Sequence, residues 1–480
     1  MAKNAPAAVH WSTRRAQSVA EIRVEAHAND DQAATAPIST LSASEVIQYT
    51  SAATAIATNP GLPVAPLKNN FVGVHVSASG GADRAVANSL ALGPLARSLA
   101  LFVRPRLSWK PVPPLSDTTI TKFHDLLSDT KAQQIRLDKV VVHGSYLINL
   151  GSHDASLREK SVELMAEEVR KCAQLGVSLY VFHPGSCTGS ELTQRRKLAD
   201  AQSRANQKVK VRTFKKQKTT EAGGQETQSD NSSIGNPSED VDESQVRRQS
   251  ITFVAESMVK VLKQTENVTL VVENMSSQGN VLGSSFCELR AVLDAALELA
   301  SQQQPQDHQE PKPENERRAT QERLGVCLDT CHAFASGYDL STTENCEQMM
   351  RDFDECMLPQ WPNALKVVHL NDSKAKCGSK LDRHANIGHG EIGLDAFRWI
   401  MNSARFEGIP LILETPRAKT KKAKKGGNIQ KLSDSEDENG EFGSAKGKKK
   451  RARGKMKSDD ENMRIPSATE ELEFLYSLVE

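Results

Sequence analysis

The sequence lacks any apolar run that could cross a membrane. A spanning helix needs about 18 or more consecutive apolar residues, and no such stretch occurs in the chain. The N-terminus also lacks the apolar run and the small-residue cleavage site of a secretory signal. We therefore expect a protein that is neither secreted nor bound to a membrane.

Cysteine motifs and common catalytic signatures are missing as well. The eight cysteines form no CxxC pair and no regular spacing, and a chain of 480 residues needs no disulfide framework to stabilise its core. This pattern favours a reducing compartment. The chain has no HExxH and no Walker A sequence, and "GHG" at 388–390 lacks the preceding strand and the third glycine of a dinucleotide loop.

Low-complexity composition marks four segments that we predict to lie outside the folded core. They are a disordered N-terminal extension at 1–68 and insertions at 194–246, 302–321 and 417–464. The rest of 69–480 has the length of one large α/β domain. The net charge of +1 hides a segregation of charge, because two Lys/Arg runs lie within 417–457 beside acidic clusters.

The ordered part alternates short apolar runs with segments of helical period. One helix is predicted after the run at 139–143, with Ser156 as its N-cap and Gly176 at its end, and "ATEELEFLYSLVE" (468–480) predicts a closing helix. Nearly continuous apolar strands with intervening helices indicate a parallel sheet, and eight of them predict a (β/α)₈ TIM barrel. The predicted strands are 71–76, 98–103, 139–143, 177–182, 268–272, 324–328, 365–370 and 410–413.

Metal-binding residue types stand at the ends of six predicted strands. In a parallel barrel these ends meet on one rim, where active sites lie. A single His or Asp there is more often a capping residue than a ligand, but six on one rim indicate a metal site. The six residues are His143, His183, Glu273, Asp329, His369 and Glu414.

Two loops on the same rim add further candidate ligands. His332 lies three residues after Asp329, and Asp382 and His384 lie in the loop after the His369 strand. A solvated charged turn is the alternative interpretation of that last pair. Nine nitrogen and oxygen ligands exceed what one zinc uses, so the number favours two or three metals and phosphoryl chemistry. Cys187 as a catalytic nucleophile is a weaker rival, because no ordered partner is evident.

Several motifs together carry a resemblance to a known family. They are "HGSYLINLGS" (143–152), "FHPGS" (182–186), "VVEN" (271–274), "GVCLDTCHAFASGYD" (325–339), "HLNDSK" (369–374), "LDRHANIGHGEIG" (381–393) and "ILETP" (412–416). Across 71–416 the chain resembles the endonuclease IV family of apurinic/apyrimidinic (AP) endonucleases. The resemblance implies a TIM barrel with three Zn²⁺ ions that cuts double-stranded DNA 5′ to abasic sites, leaving a 3′-hydroxyl and a 5′-deoxyribose phosphate. It also implies removal of blocked 3′ ends.

The resemblance assigns roles to particular residues of this chain. It implies one zinc on His143, His183 and Glu273, a second on Glu273, Asp329, His369 and Glu414, and a third on His332, Asp382 and His384. We expect Glu273 and Glu414 also to orient the nucleophile. Tyr146 matches a side chain that the family inserts into DNA. The family's other inserting residue, which is basic, aligns with Leu107 here, and Arg106 is adjacent to it.

The remaining expectations concern partners and location. We expect a monomer whose basic runs within 417–457 add phosphate contacts or a nuclear import signal. Lys3, Arg14 and Arg15, with no acidic residue before Glu21, also suit a mitochondrial presequence, although a disordered tail has the same composition. Two other functions stay open: a metal-dependent sugar isomerase or epimerase on the same barrel, and a non-catalytic nucleic-acid-binding protein.

Overall fold

The barrel is formed by eight short parallel strands. A computed structural model describes residues 69–128, 135–190, 243–302, 314–417 and 465–480. The strands are β1 (Phe71–His75), β2 (Ser98–Leu101), β3 (Val140–His143), β4 (Leu179–Phe182), β5 (Thr269–Glu273), β6 (Leu324–Asp329), β7 (Leu365–His369), the hairpin strands β8 (Asp372–Ser373) and β9 (His384–Ala385), and β10 (Pro410–Leu413). The barrel closes in the order β1-β10-β7-β6-β5-β4-β3-β2, which confirms the predicted (β/α)₈ barrel.

Helices cover the outside of this barrel. The longer ones, α3 and α4, have one buried side along the strands and one exposed side. No helix within the described ranges is long and apolar enough to span a membrane. The helices are α1 (Ala82–Leu90), α2 (Asp117–Ser128), α3 (Ala155–Gln174), α4 (Glu243–Leu262), α5 (Phe286–Gln302), α6 (Glu314–Glu322), α7 (Thr330–Ser336), α8 (Thr343–Met357), α9 (Leu394–Asn402) and α10 (Ala468–Ser477).

Small and β-branched side chains fill the inside of the barrel. Seven of the eight barrel strands contribute side chains to one cluster inside the barrel. The eighth strand, β1, has Gly73 at the corresponding position. A side-chain carbon at Gly73 would lie 1.9 Å from the Ser98 carbonyl oxygen, so the close approach of β1 to β2 requires glycine there. The cluster consists of Ala100, Val141, Leu179, Val181, Val271, Cys327, Val367 and Ile412.

Two of the insertions predicted from composition include helical residues at their ends. Residues 243–246 belong to α4, and 314–321 belong to α6. α6 is almost entirely polar, and an ion pair between Arg318 and Glu322 one turn apart supports it. Composition alone does not distinguish such a solvated helix from a disordered insertion. The predicted extension 1–68 and most of the three insertions lie outside the described residues.

Two further local predictions need correction. α3 is capped by Asp154 instead of Ser156, because the Asp154 carboxylate accepts hydrogen bonds from the Ser156 and Leu157 amides. Cys287 and Cys356 form a disulfide between α5 and α8, although we expected unpaired cysteines. Their sequence separation of 69 residues carries no local signal for pairing.

The closing helix is where the sequence predicted it. α10 begins after Ser467, which forms a capping box with Glu470. Its Tyr476 hydroxyl donates to the Asn70 carbonyl oxygen and accepts from the Val72 amide. α10 is therefore attached directly to β1, the first strand of the barrel.

Candidate metal centre

Glu273 lies at the middle of the ligand-type residues on the barrel rim. It is the last residue of β5 and is fully buried. One of its oxygens, Oε2, is 3.3 Å from His143 Nε2 and 3.2 Å from His183 Nε2. The other, Oε1, is 3.0 Å from His369 Nδ1. The ends of β3, β4, β5 and β7 thus converge on one carboxylate.

A second group surrounds His369, the last residue of β7. His369 pairs with Asp329 across the β6–β7 register, and its Nδ1 is 3.9 Å from Asp329 Oδ2. The same Nδ1 is 3.3 Å from Glu414 Oε2, which follows β10 directly. Glu273 contacts both His369 of this group and the two histidines of the first group, His143 and His183. Its carboxylate can therefore bridge the two groups.

The third group combines one helical residue with two from the β8–β9 hairpin. Asp382 lies between two histidines, with 3.1 Å from Oδ2 to His332 Nε2 and 3.2 Å from Oδ1 to His384 Nε2. The His332 ring is oriented by its other nitrogen, Nδ1, which is 2.9 Å from the Asn274 carbonyl oxygen. All nine residues predicted from the sequence are therefore brought together on one rim.

The spacing of these atoms suits divalent metal ions. Two ligands bound at about 2.0–2.1 Å to a tetrahedral zinc are about 3.3 Å apart, close to the distances around Glu273 and Asp382. Several ligand atoms are buried and make no hydrogen bond within the described residues, namely Glu273 Oε2 and the Nε2 atoms of His332, His369 and His384. Buried polar atoms without partners are costly, and a bound cation would satisfy them.

The charges of the metal-free site are strongly perturbed. Burial favours the neutral form of acids and histidines alike. For Glu273, His332 and His384, the attraction of neighbouring groups of opposite charge outweighs this effect of burial. Electrostatic interaction with His369 and His183 holds the pKa of Glu273 well below its usual range despite burial. Against the same effect of burial, Asp329 and Asp382 raise the pKa of His332, and Asp382 raises that of His384. Such clusters of paired charges are typical of functional sites.

Comparison with known proteins shows the family. A family model described as "Xylose isomerase-like TIM barrel" matches residues 92–211 and 316–434. The apurinic-apyrimidinic endonuclease of Caenorhabditis elegans is 34% identical over 351 residues, which are 73% of this chain and 67% of the relative. The chain belongs to the endonuclease IV family of AP endonucleases.

Other AP endonucleases match a similar part of the chain. Apurinic-apyrimidinic endonuclease 1 of Plasmodium falciparum (isolate 3D7) is 34% identical over 354 residues, 73% of this chain but 45% of the relative. Among solved structures, endonuclease IV from Thermus thermophilus has 26% identity and a TM-score of 0.48, and the match covers 72% of this chain and 93% of that one. The chain spans two thirds of the nematode relative and under half of the Plasmodium one.

Two buried asparagines connect the ligand-bearing strands, and the sequence interpretation missed both. Asn274, next to Glu273, accepts from the Asp329 amide at 2.6 Å and donates to the Asp329 carbonyl oxygen. Asn371 donates to Asp329 Oδ2 at 2.7 Å and accepts from the Glu414 amide at 2.9 Å. Asn274 and Asn371 fix the positions of neighbouring ligand residues relative to each other. Each lies one or two residues after a strand-end ligand, and this position is the sequence signal that could have identified them.

The hairpin loop depends on two buried carboxylates that the sequence interpretation also missed. Asp372 Oδ2 accepts from the Gly388 and Gly390 amides, both at 3.0 Å. Glu471 of α10 accepts from the Ile387 amide at 3.1 Å and from the Thr415 hydroxyl at 2.6 Å. These bonds fix the loop just after His384 and connect it to the segment after Glu414.

An exposed aromatic and apolar surface borders the metal centre. The Tyr146 ring stacks on the His183 ring with 5.5 Å between centroids, and the Arg106 guanidinium lies 5.7 Å from the Tyr146 ring. Tyr146 is 37% exposed, Leu107 65% and Trp109 43%. Arg104 is buried and holds this loop by donating to two of its carbonyl oxygens at 2.7 Å each. The protein therefore presents an apolar edge beside the candidate ligands.

The cysteines near the site do not form a thiolate centre. Cys327 is buried inside the barrel, where burial raises the pKa of its thiol to about 12. Burial also raises the pKa of the Cys331 thiol, beside Asp329 and His384. Cys187, the rival nucleophile, is 2% exposed and its pKa is likewise raised by burial. A neutral, enclosed thiol is a poor nucleophile, which argues against nucleophilic catalysis by these cysteines.

Proposed function

We propose that this protein is a zinc-dependent DNA-repair endonuclease. It would hydrolyse the phosphodiester on the 5′ side of an abasic site, leave a 3′-hydroxyl and a 5′-deoxyribose phosphate, and trim blocked 3′ ends. The observation that carries the proposal is the set of three adjoining ligand groups centred on Glu273, bordered by the exposed ring of Tyr146. Family membership supports it through relatives that are named AP endonucleases.

The proposed ligand roles follow the three groups. His143, His183 and Glu273 would hold one ion, and His332, Asp382 and His384 would hold another. The second ion would lie among Glu273, Asp329, His369 and Glu414, with Glu273 shared. Bound zinc supplies an ionised water near neutral pH and neutralises charge on the phosphoryl oxygens. Three ions per chain is the number that these residues fit.

The side chains of this chain have their own tasks in such a reaction. We assign Glu273 and Glu414 to orient the attacking water, because an oxygen of each carboxylate lies close to the same atom, His369 Nδ1, at 3.0 and 3.3 Å. Tyr146 would contact the nucleotides beside the abasic site once it is turned out of the stack, with Arg106 close to the backbone. Leu107 and Trp109 enlarge the same apolar edge, which suits the flat faces of bases.

The basic insertion follows the strand that leads to Glu414. It begins just after β10, and the insertion after residue 190 follows β4, so both start from the rim that carries the ligands. We propose that the Lys/Arg runs within 417–457 add phosphate contacts and direct nuclear import. A variant without 418–464 should lose nuclear accumulation and should show a shallower salt dependence of DNA affinity; unchanged values of both would contradict the proposal. Import into mitochondria through the N-terminal segment is the alternative destination.

The decisive experiment uses a labelled duplex that contains a single tetrahydrofuran abasic analogue. A lyase cannot cut this analogue, so incision reports hydrolysis. We expect cleavage on the 5′ side, a 3′ end that a polymerase extends, loss of activity after prolonged chelation, and three zinc ions per chain by elemental analysis. An undamaged duplex is the matched control. Metal-loaded protein that leaves the analogue intact would overturn the proposal, and turnover of ketose sugars would favour the isomerase alternative.

A further inference from the structure

His75 is a buried histidine at the metal centre that has no assigned role. It is the last residue of β1, and β1 pairs with β10 so that Val74 lies beside Leu413, directly before Glu414. The side chain of His75 is 11% exposed, and its Nδ1 is 2.9 Å from Glu414 Oε1. His75 therefore occupies on β1 the strand-end position that ligand-type residues occupy on the other strands.

The partner of Nδ1 fixes how this ring is protonated. An ionised carboxylate can only accept a hydrogen bond, so the 2.9 Å contact requires a proton on Nδ1. In a neutral imidazole the other nitrogen is then an acceptor. That atom, Nε2, is buried and has no hydrogen-bond partner within the described residues. His75 thus acts on Glu414 through one defined N–H group.

Its neighbours hold the His75 ring in this orientation. The Phe102 ring lies against it with 4.5 Å between centroids, and the His143 ring is 5.8 Å away. The contact with Phe102 limits rotation of the His75 ring about its side-chain bonds. The hydrogen bond to Glu414 is consequently part of a packed arrangement, and the direction of the N–H group is set before any ligand binds.

Because of this contact, the two carboxylate oxygens of Glu414 have different partners. Oε1 is engaged by His75, while Oε2 is 3.3 Å from His369 Nδ1 and faces the second ligand group. Without the donor, the carboxylate could rotate and exchange its oxygens or offer both to one ion. A hydrogen bond to the outer oxygen of a ligating carboxylate orients it and commonly changes metal affinity by about 10–100-fold.

We propose that His75 is a positioning residue that presents Oε2 of Glu414 to the metal pair by holding Oε1 through its Nδ1–H group. This rests on the proposed function, in which Glu414 is a ligand and orients the attacking water. It adds a residue that acts through Glu414 and requires no contact between His75 and the metal or the DNA.

Isosteric variants separate this role from simple packing. The side-chain amide of His75→Asn places an N–H where Nδ1–H stands, whereas the amide of His75→Gln reaches the place of Nε2 and leaves Oε1 without a donor. Both variants are polar and similar in size, so their folding is comparable. His124→Gln, on the partly buried face of α2, is the matched histidine control away from the rim.

The first readout is metal affinity in the absence of DNA. In competition with a chelator, we expect His75→Gln to bind one of the three ions about 10–100-fold more weakly, and His75→Asn to stay within a few-fold of the unaltered protein. Equal affinities for the Asn and Gln variants would overturn the proposal. If the Asn variant loses an ion as completely as the Gln variant, Nε2 is a ligand, and the positioning role is wrong.

The second readout divides binding from the chemical step on the tetrahydrofuran duplex. We expect kcat of His75→Gln to fall with metal in excess while KM for the duplex is unchanged, and His75→Asn to recover most of kcat. A change in KM alone would contradict the proposal. Because the metal titration needs no incision, absence of cleavage by the unaltered protein would remove the proposed endonuclease activity and still leave the His75–Glu414 linkage tested.

Discussion

The ligands carried by strands and those carried by the hairpin loop are held in different ways. Glu273, Asp329 and His369 are fully buried, and the register of β5, β6 and β7 fixes their backbone. The side chain of Asp382 is 38% exposed, and its loop is held by contacts to Asp372 and Glu471. A sheet fixes a ligand through many cooperative hydrogen bonds, whereas a loop depends on a few anchors. The loop-borne group should therefore be the easier one to disturb.

The largest expected effect comes from the strand-borne centre. In Glu273→Gln the charge that faces four histidines is lost, and two ligand groups lose their shared carboxylate. We expect incision to fall at least about 1,000-fold, which corresponds to ~4 kcal/mol of transition-state stabilisation, together with reduced zinc content. Single-turnover incision and elemental analysis measure both. Glu344→Gln, a fully exposed acid on α8, is the charge-matched control. Full zinc content with near-normal activity would exclude the proposed role of Glu273.

Loosening the loop should have an intermediate and selective effect. Asp372 accepts hydrogen bonds from four amides, two on each oxygen. Asp372→Asn replaces one of these oxygens by an NH₂ group that cannot accept, so two amides lose their acceptor and the anchor is weakened. We expect the metal held by His332, Asp382 and His384 to bind about 10–100-fold more weakly while the strand-borne ions are retained. Stepwise chelator titration detects this as early release of one ion in three. Gly390→Ala tests the same contact without a charge change, since its Cβ would lie 2.3 Å from Asp372 Oδ1. Simultaneous weakening of all three ions would contradict the distinction between loop and strands.

The pH dependence of the metal-free protein should reveal the two histidines that contact Asp382. The pKa of His332 and that of His384 are raised in the folded state above the ordinary value of 6.5, against the effect of burial, by Asp329 and Asp382. Their stabilisation is therefore complete below pH 6.5 and is lost as the pH rises through the raised pKa values. We expect the Tm of chelated protein to fall over that range, and the fall to shrink in Asp382→Asn. Zinc-loaded protein should behave oppositely, because protons compete with the metal for the same nitrogens. A Tm of chelated protein that rises with pH would refute the assignment.

The smallest effect is expected at the opposite end of the barrel. α6 precedes β6, and its Arg318–Glu322 pair is exposed to solvent. We expect Arg318→Ala to lower the free energy of unfolding by only about 0.3–0.5 kcal/mol and to leave zinc affinity and incision unchanged. Denaturant unfolding and the two site assays provide the measurement. A change in metal binding would mean that the rim is coupled to distant elements.

Periodicity predicted the barrel and the strand-borne ligands because both depend on local pattern. A buried parallel strand requires a continuous apolar run, and the first polar residue after it, as at Glu273 or Asp329, must lie on the rim. Asp382 and His384 carried no such periodic signal, and the position of their loop after the His369 strand indicated them. Their placement within 3.2 Å of each other depends on a loop closed by residues far apart in sequence.

The sequence interpretation missed several polar groups whose hydrogen-bond partners are distant in the sequence. His75 was hidden because "FVGVHV" looked like one apolar run, whereas the strand ends at His75 itself. Nothing in the apolar periodicity of the sequence distinguishes Asn371, Asp372 and Glu471 from other polar residues. Their hydrogen bonds to distant residues form only in the folded protein. Periodic patterns report which side of an element is buried, and they do not report hydrogen bonds made across the rim.

The position of Glu471 also affects the order in which the protein can mature during synthesis. All nine proposed ligands and His75 precede residue 415, but the carboxylate that braces Ile387 and Thr415 is on α10, beyond the long basic segment. A nascent chain that has emerged from the ribosome with every ligand still lacks this brace. A message interrupted between Arg417 and Ser467 would encode a product with a complete ligand set and an unsupported hairpin loop.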